Sequence, residues 1–141
     1  MKDYKVVTVC THSPAQDYYC LREYFKSLRD EQPLILDNRI LPYTGLGSKP
    51  KMLYKAIKDG MIKERFTIFT DCWDFVFAAS FEEIISKFKT FNTSIVFSSE
   101  RTCFPDDLKA EYDTLPSIGS FKYLNSGMII GETEAILAPR S

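Results

Sequence analysis

Short apolar runs alternate along this chain with segments whose apolar residues recur at helical spacing. The first run, YKVVTVC (4–10), is rich in valine and predicts a strand. SPAQDYYCLREYFKSLRD (13–30) predicts a helix with Ser13 as N-cap, Pro14 in the first helical position and Gln16 completing a capping-box pattern. Leu21, Tyr24, Phe25 and Leu28 form its apolar stripe. PLILDN (33–38) reads as a second strand and LPYTGLGSKP (41–50), by its Pro and Gly content, as a loop. KMLYKAIKDG (51–60) reads as a helix closed by Gly60, with Met52, Ala56 and either Leu53 or Ile57 facing inward. FTIFTD (66–71) is apolar enough for a strand buried on both faces. SFEEIISKFKTF (80–91) is a helix with Ser80 and Glu83 as a second capping box. TSIVFSS (93–99) is a fourth strand, and FPDDLKAEY (104–112) a short helix with Asp106 and Asp107 as capping acids of its first turn. FKYLNSGMIIG (121–131) is a fifth strand, broken by an Asn-Ser-Gly turn. This alternation predicts one α/β domain over 1–141, a mainly parallel sheet flanked by helices on both sides.

Composition narrows the partners. Lys plus Arg (18) nearly balances Asp plus Glu (19), so nothing points to nucleic acid or to a charged membrane surface. No run reaches the roughly 18 apolar residues of a transmembrane helix. The N-terminal MKDYKVVTVCTHS lacks the pattern of a signal peptide, which makes a cytoplasmic location the expectation. Cys10, Cys20, Cys72 and Cys103 show no CxxC spacing and read as reduced thiols. The one histidine, His12, stands in no cluster of zinc ligands.

In parallel sheets ligands bind outside the carboxyl ends of the strands. Three stretches carry chemistry there. After the third strand come Asp71 and Asp74, flanked by apolar sequence, with the chain's single tryptophan, Trp73, between them. If the chain turns after Asp71, the carboxylates converge, and a hard divalent ion such as Mg²⁺ or Mn²⁺ would relieve their repulsion. Ordinary turn acids, one capping and one solvated, explain the same residues. Trp73 could lie against a flat base or fill the core. In GLGSKP (45–50), Gly45 and Gly47 permit close backbone approach and Lys49 could reach a phosphate, although a flexible connection accounts for them too. The spacing is not that of a nucleotide-hydrolase P-loop. In YLNSG (123–127), Asn125 and Ser126 offer hydrogen bonds to hydroxyls and Gly127 lets the backbone pass close, again at a place where a plain turn would suffice.

GLGSKPKML, FTDCWDFVFAASFEEI, VFSSE and YLNSGMIIG, in this order and spacing, resemble the glycosyltransferase domain of procollagen lysyl hydroxylases and related collagen glycosyltransferases over roughly residues 6–131. The resemblance implies a GT-A (Rossmann-like) fold and a metal-dependent transfer of glucose or galactose from UDP-glucose or UDP-galactose to a hydroxylysine or sugar hydroxyl. It implies Mn²⁺ (or Mg²⁺) on Asp71 and Asp74, uracil against Trp73, and uridine beside Thr11. It also implies the diphosphate near Gly47 and Lys49, and the donor sugar near Asn125, Ser126 and Gly127. Members of that family continue past the strand matching 121–131, with an acidic acceptor-side motif and a metal-binding histidine that have no counterpart in these 141 residues. Met128 replaces the family's second glycine, which implies a reshaped sugar pocket. The alternatives are a non-catalytic UDP-binding module or inactive fragment, and a nucleotidyltransferase on a similar sheet.

Overall fold

The computed structural model describes residues 2–11, 19–45, 47–103, 106–116 and 119–137. Strands β1 (Tyr4–Val9), β2 (Leu34–Leu36), β3 (Phe66–Asp71), β4 (Ile95–Glu100) and β5 (Tyr123–Glu132) form one sheet in the order β2-β1-β3-β5-β4. β1 pairs in parallel with β2 and β3, whereas β5 runs antiparallel to both β3 and β4. The sheet is therefore mixed, with β5 inserted against the direction of its neighbours. The helices are α1 (Tyr19–Ser27), α2 (Ser48–Lys58), α3 (Phe81–Thr90), α4 (Lys109–Asp113) and α5 (Thr133–Leu137).

Strand alternation sorts the core into two layers. Val6, Ile68 and Ile130 meet Tyr24 of α1 and Ile85 and Phe88 of α3 on one face. Val7, Phe69 and Ile129 meet Met52 and Ala56 of α2 on the other, with Ile136 of α5 packed against them. Leu53 and Ile57, which periodicity left as alternatives, are both buried.

β3 and α3 lie within a residue of their expected bounds. Ser80 takes an extended conformation and its Oγ accepts the Glu83 amide at 3.2 Å, so the second capping box forms on the side of its serine. Ser80→Ala should lower stability by about 1 kcal/mol, read as a lower urea midpoint at unchanged slope.

Four expectations need correction. The first helix ends at Ser27 instead of Asp30, where Arg29 adopts a left-handed φ of 58° that stops the helix. Its stripe holds Leu21, Tyr24 and Leu28, but Phe25 is 38% exposed. The proposed cap at Ser13, Pro14 and Gln16 lies outside the described residues. The second helix begins at Ser48, inside the stretch read as loop, because Pro50 falls in the first turn, where no helical N–H is required of it. Of the segment read as helix 104–112, residues 104 and 105 lie outside the described residues; the rest is a 3₁₀ turn at Asp106–Leu108 followed by α4, whose N-cap position is Leu108. Finally, β5 runs unbroken through Asn125, Ser126 and Gly127. The interruption is in the pairing: Phe97 opposes Ile129, but Ser98 opposes Asn125. One step along β4 matches four along β5, so the residues that look like a turn are housed as a bulge.

Candidate functional site at the carboxyl edge of the sheet

β1 and β3 end level with each other, Val9 opposite Asp71, so Cys10 and Thr11 leave the sheet beside the segment that carries the two acids. Because β5 is antiparallel, its beginning lies at this same edge. Asp71 follows Phe69 in alternation and so belongs to the α2 face. There its Oδ1 accepts a hydrogen bond from Lys49 Nζ at 2.5 Å, with the two side chains 25% and 20% exposed.

Ser48 fixes the start of α2 that delivers this lysine. Its Oγ accepts the Thr44 amide at 2.9 Å, and its own amide donates to the Gly45 carbonyl at 3.0 Å. The first turn of α2 holds no acidic residue, so the positive end of the helix dipole and Lys49 add together opposite Asp71. Gly45, at φ +152°, supplies a backbone conformation that other residues rarely adopt, whereas Gly47 has an ordinary helical conformation with open space around it.

After Asp71 the chain bends through Cys72, Trp73 and Asp74. Cys72 is 1% exposed and its Sγ donates to the Val9 carbonyl at 3.3 Å. Burial, and then the neighbouring Cys10, push the Cys72 thiol up to about 12, which makes it a packing group and not a nucleophile. Trp73 is half-buried and packs against the α1–α3 layer, so at least part of its indole serves the core. Asp74 is exposed. Beneath the bend, Thr8 Oγ1 donates to the Thr70 carbonyl at 2.7 Å, and Tyr24 Oη lies 3.1 Å from Thr70 Oγ1. Burial raises the Tyr24 phenol above its ordinary value, keeping it a neutral hydrogen-bonding partner. This floor was not foreseen from the sequence; its signal is two threonines, Thr8 and Thr70, within otherwise apolar strands.

From the other side, Gly127 approaches the acid. A Cβ on Gly127 would stand 3.6 Å from Asp71 Oδ2 and 2.7 Å from Asn125 Oδ1. The structure thus brings Lys49, Asp71, Asn125 and Gly127 to one place, with Thr11 at the same edge. Ser126 is exposed on the bulge, and Met128 turns its side chain into the α1–α3 layer. Other hollows among the described residues lie elsewhere: along the outer face of α2 by Leu41, Pro50 and Tyr54, and, away from this edge, by Arg65, Phe66 and Lys89 and by Ile62, Glu64 and Thr133.

Whether this edge suits a divalent ion turns on its donors. Among the described residues no group of three His, Cys, Asp or Glu side chains is placed to hold a metal. Asp71 and Asp74 carry carboxylate oxygens and are separated by a bend. Mg²⁺ and Mn²⁺ are commonly held by one or two carboxylates, with substrate phosphates and water completing the shell. Two carboxylates are the donor type such an ion takes beside a phosphorylated ligand, but the structure sets Asp71 against Lys49 and not against Asp74, so the expected convergence of the two acids is not seen.

The family model described as PLOD GT domain matches residues 36–138, from the end of β2 to just past α5. This chain belongs to that family. Relatives include procollagen-lysine,2-oxoglutarate 5-dioxygenase 1 of Rattus norvegicus, 39% identical over 89 residues, or 62% of this chain and 12% of the relative. The corresponding enzyme 2 of Mus musculus is 39% identical over 88 residues, again 62% and 12%. The Drosophila melanogaster protein of the same name is 34% identical over 96 residues, 67% of this chain and 13% of the relative. The matched stretch is thus a small part of each relative. Membership accords with the mixed, Rossmann-like sheet and its flanking helices, and identifies a glycosyltransferase-like domain.

Proposed function

We propose that this domain binds a UDP-sugar, UDP-glucose or UDP-galactose, with Mn²⁺ or Mg²⁺ at Asp71 and Asp74, and transfers the sugar to a hydroxyl of hydroxylysine or of another sugar. The observation that carries the reading is the convergence of Lys49, Asp71, Asn125 and Gly127 at the carboxyl edge of a PLOD GT domain sheet. Lys49 and the N-terminus of α2 offer positive charge to a diphosphate. Trp73 and Thr11 stand on the β1–β3 side of the edge, where a uridine would lie. Asn125 and Gly127 border the opposite side, where the sugar would lie. A divalent ion on the two aspartates would neutralise charge on the departing diphosphate. Lys49, released from a carboxylate that the ion has taken, would follow the same charge.

A melt with UDP, with and without Mn²⁺, tests this. At a hundred times its dissociation constant, a ligand stabilises the native state by about 2.7 kcal/mol. Stabilisation by UDP that requires Mn²⁺ is the expected result; no response to either removes the reading. The second reading, a module that binds UDP-sugar without turnover, is favoured by the Lys49 ammonium that already neutralises the Asp71 carboxylate. It predicts binding with no UDP released from UDP-sugar whatever the acceptor.

A further inference from the structure

We propose that Ser98 is the positioning residue for the sugar end of this pocket, an inference that rests on the donor-binding reading above. The bulge in β5 leaves Ser126, Gly127 and Met128 as extra residues between the pairs Ser98–Asn125 and Phe97–Ile129. The Ser98 hydroxyl spans that gap. Its Oγ donates to the Asn125 carbonyl at 2.8 Å, with Asn125 Oδ1 at 3.3 Å, and accepts the Met128 amide at 3.2 Å. A hydroxyl has one proton and two lone pairs, so the same group can tie down the residue before the bulge as donor and the last residue of the bulge as acceptor. Lost ladder bonds are replaced by one side chain.

The consequence reaches the site through Asn125. The Gly127 amide donates to Asn125 Oδ1 at 2.6 Å. An N–H donor there fixes which end of the asparagine amide is oxygen. The NH₂ end is then what Asn125 offers a ligand, and it donates to acceptor oxygens such as those of a sugar hydroxyl. The same turn carries Gly127 to the Asp71 carboxylate, where a Cβ would come within 3.6 Å of Oδ2. Ser98 hydrogen-bonds to Asn125 and to the Met128 amide, and acts on the pocket through Asn125.

The test compares Ser98→Ala and Ser98→Thr with the unaltered chain, in Mn²⁺, by calorimetric titration of UDP and of UDP-glucose and by amide hydrogen exchange at Met128. In Ser98→Ala, UDP affinity should stay within about twofold, while UDP-glucose binding weakens roughly tenfold and Met128 exchange quickens at least as much. Threonine, which keeps the hydroxyl, should restore both. Unchanged UDP-glucose affinity, an equal loss for both ligands, or failure of threonine to restore binding would each overturn the proposal. If the unaltered chain binds neither ligand, the donor reading fails and the sugar role of Ser98 falls with it. Met128 exchange still separates the two claims, since faster exchange in Ser98→Ala would show the hydroxyl holding the bulge regardless of any ligand.

Discussion

Replacing Asp71 with asparagine should abolish the contribution of Mn²⁺ to UDP binding while the domain stays folded. The substitution keeps size and polarity but removes the charge that would hold the ion. Its structural cost is small, because the Lys49–Asp71 pair is partly solvated and Lys49 can turn to water. Titration of UDP should show a gain of about a hundredfold with Mn²⁺ in the unaltered chain, equivalent to roughly 2.7 kcal/mol, and almost none in the variant. A metal-dependent gain that survives in Asp71→Asn would exclude this carboxylate as a ligand. Lys49→Met separates the two partners: without the ammonium, the ion meets an unoccupied carboxylate, whereas the diphosphate loses a cation. Direct Mn²⁺ binding in the absence of nucleotide should tighten in this variant, and UDP binding should weaken.

The largest effect on stability should come from Gly131→Ala. Gly131 lies opposite Thr67 of β3 and Ile95 of β4 and beneath α5. A Cβ there would sit 2.9 Å from the Ser94 carbonyl oxygen, 3.1 Å from Ile95 Cγ1 and 3.3 Å from Ile136 Cγ1. The first of these is backbone and also accepts the Glu132 amide at 2.9 Å, so it cannot retreat without losing a ladder bond. Overpacking of this kind costs about 1–3 kcal/mol, which lowers Tm by several degrees in a domain of this size. A variant that melts with the unaltered chain would show that β4 and α5 yield more easily than their packing implies.

Much of the architecture is legible in the sequence because it is local. The apolar run FTIFTD sets β3, and the serine–glutamate pair sets the start of α3; both signals lie within a few residues of what they specify. Two local signals mislead. Pro50 looks like a loop marker yet suits a first helical turn, and Asn-Ser-Gly has turn composition yet is carried inside a strand. Composition could not separate these cases, since the same residues serve both and only the neighbouring strand decides. The candidate residues themselves were visible one by one. Their partners were not: Lys49 and Asp71 are 22 residues apart, and Ser98 and Asn125 are 27 apart. Those contacts follow from strand order and register, which periodicity does not encode. The reversed direction of β5 is likewise invisible along the chain, although it alone brings Asn125 and Gly127 to the edge where β1 and β3 end.

The way the bulge is seated bears on how such a pocket could diversify. β5 is anchored to β3 from Thr70–Met128 onward and to β4 on both sides of the break. A change of side chain at Ser126, at the exposed crest, leaves the register of every strand untouched. The bulge therefore carries one exchangeable position, Ser126, where lineages could vary the chemistry of this edge while the frame around it inherits no strain.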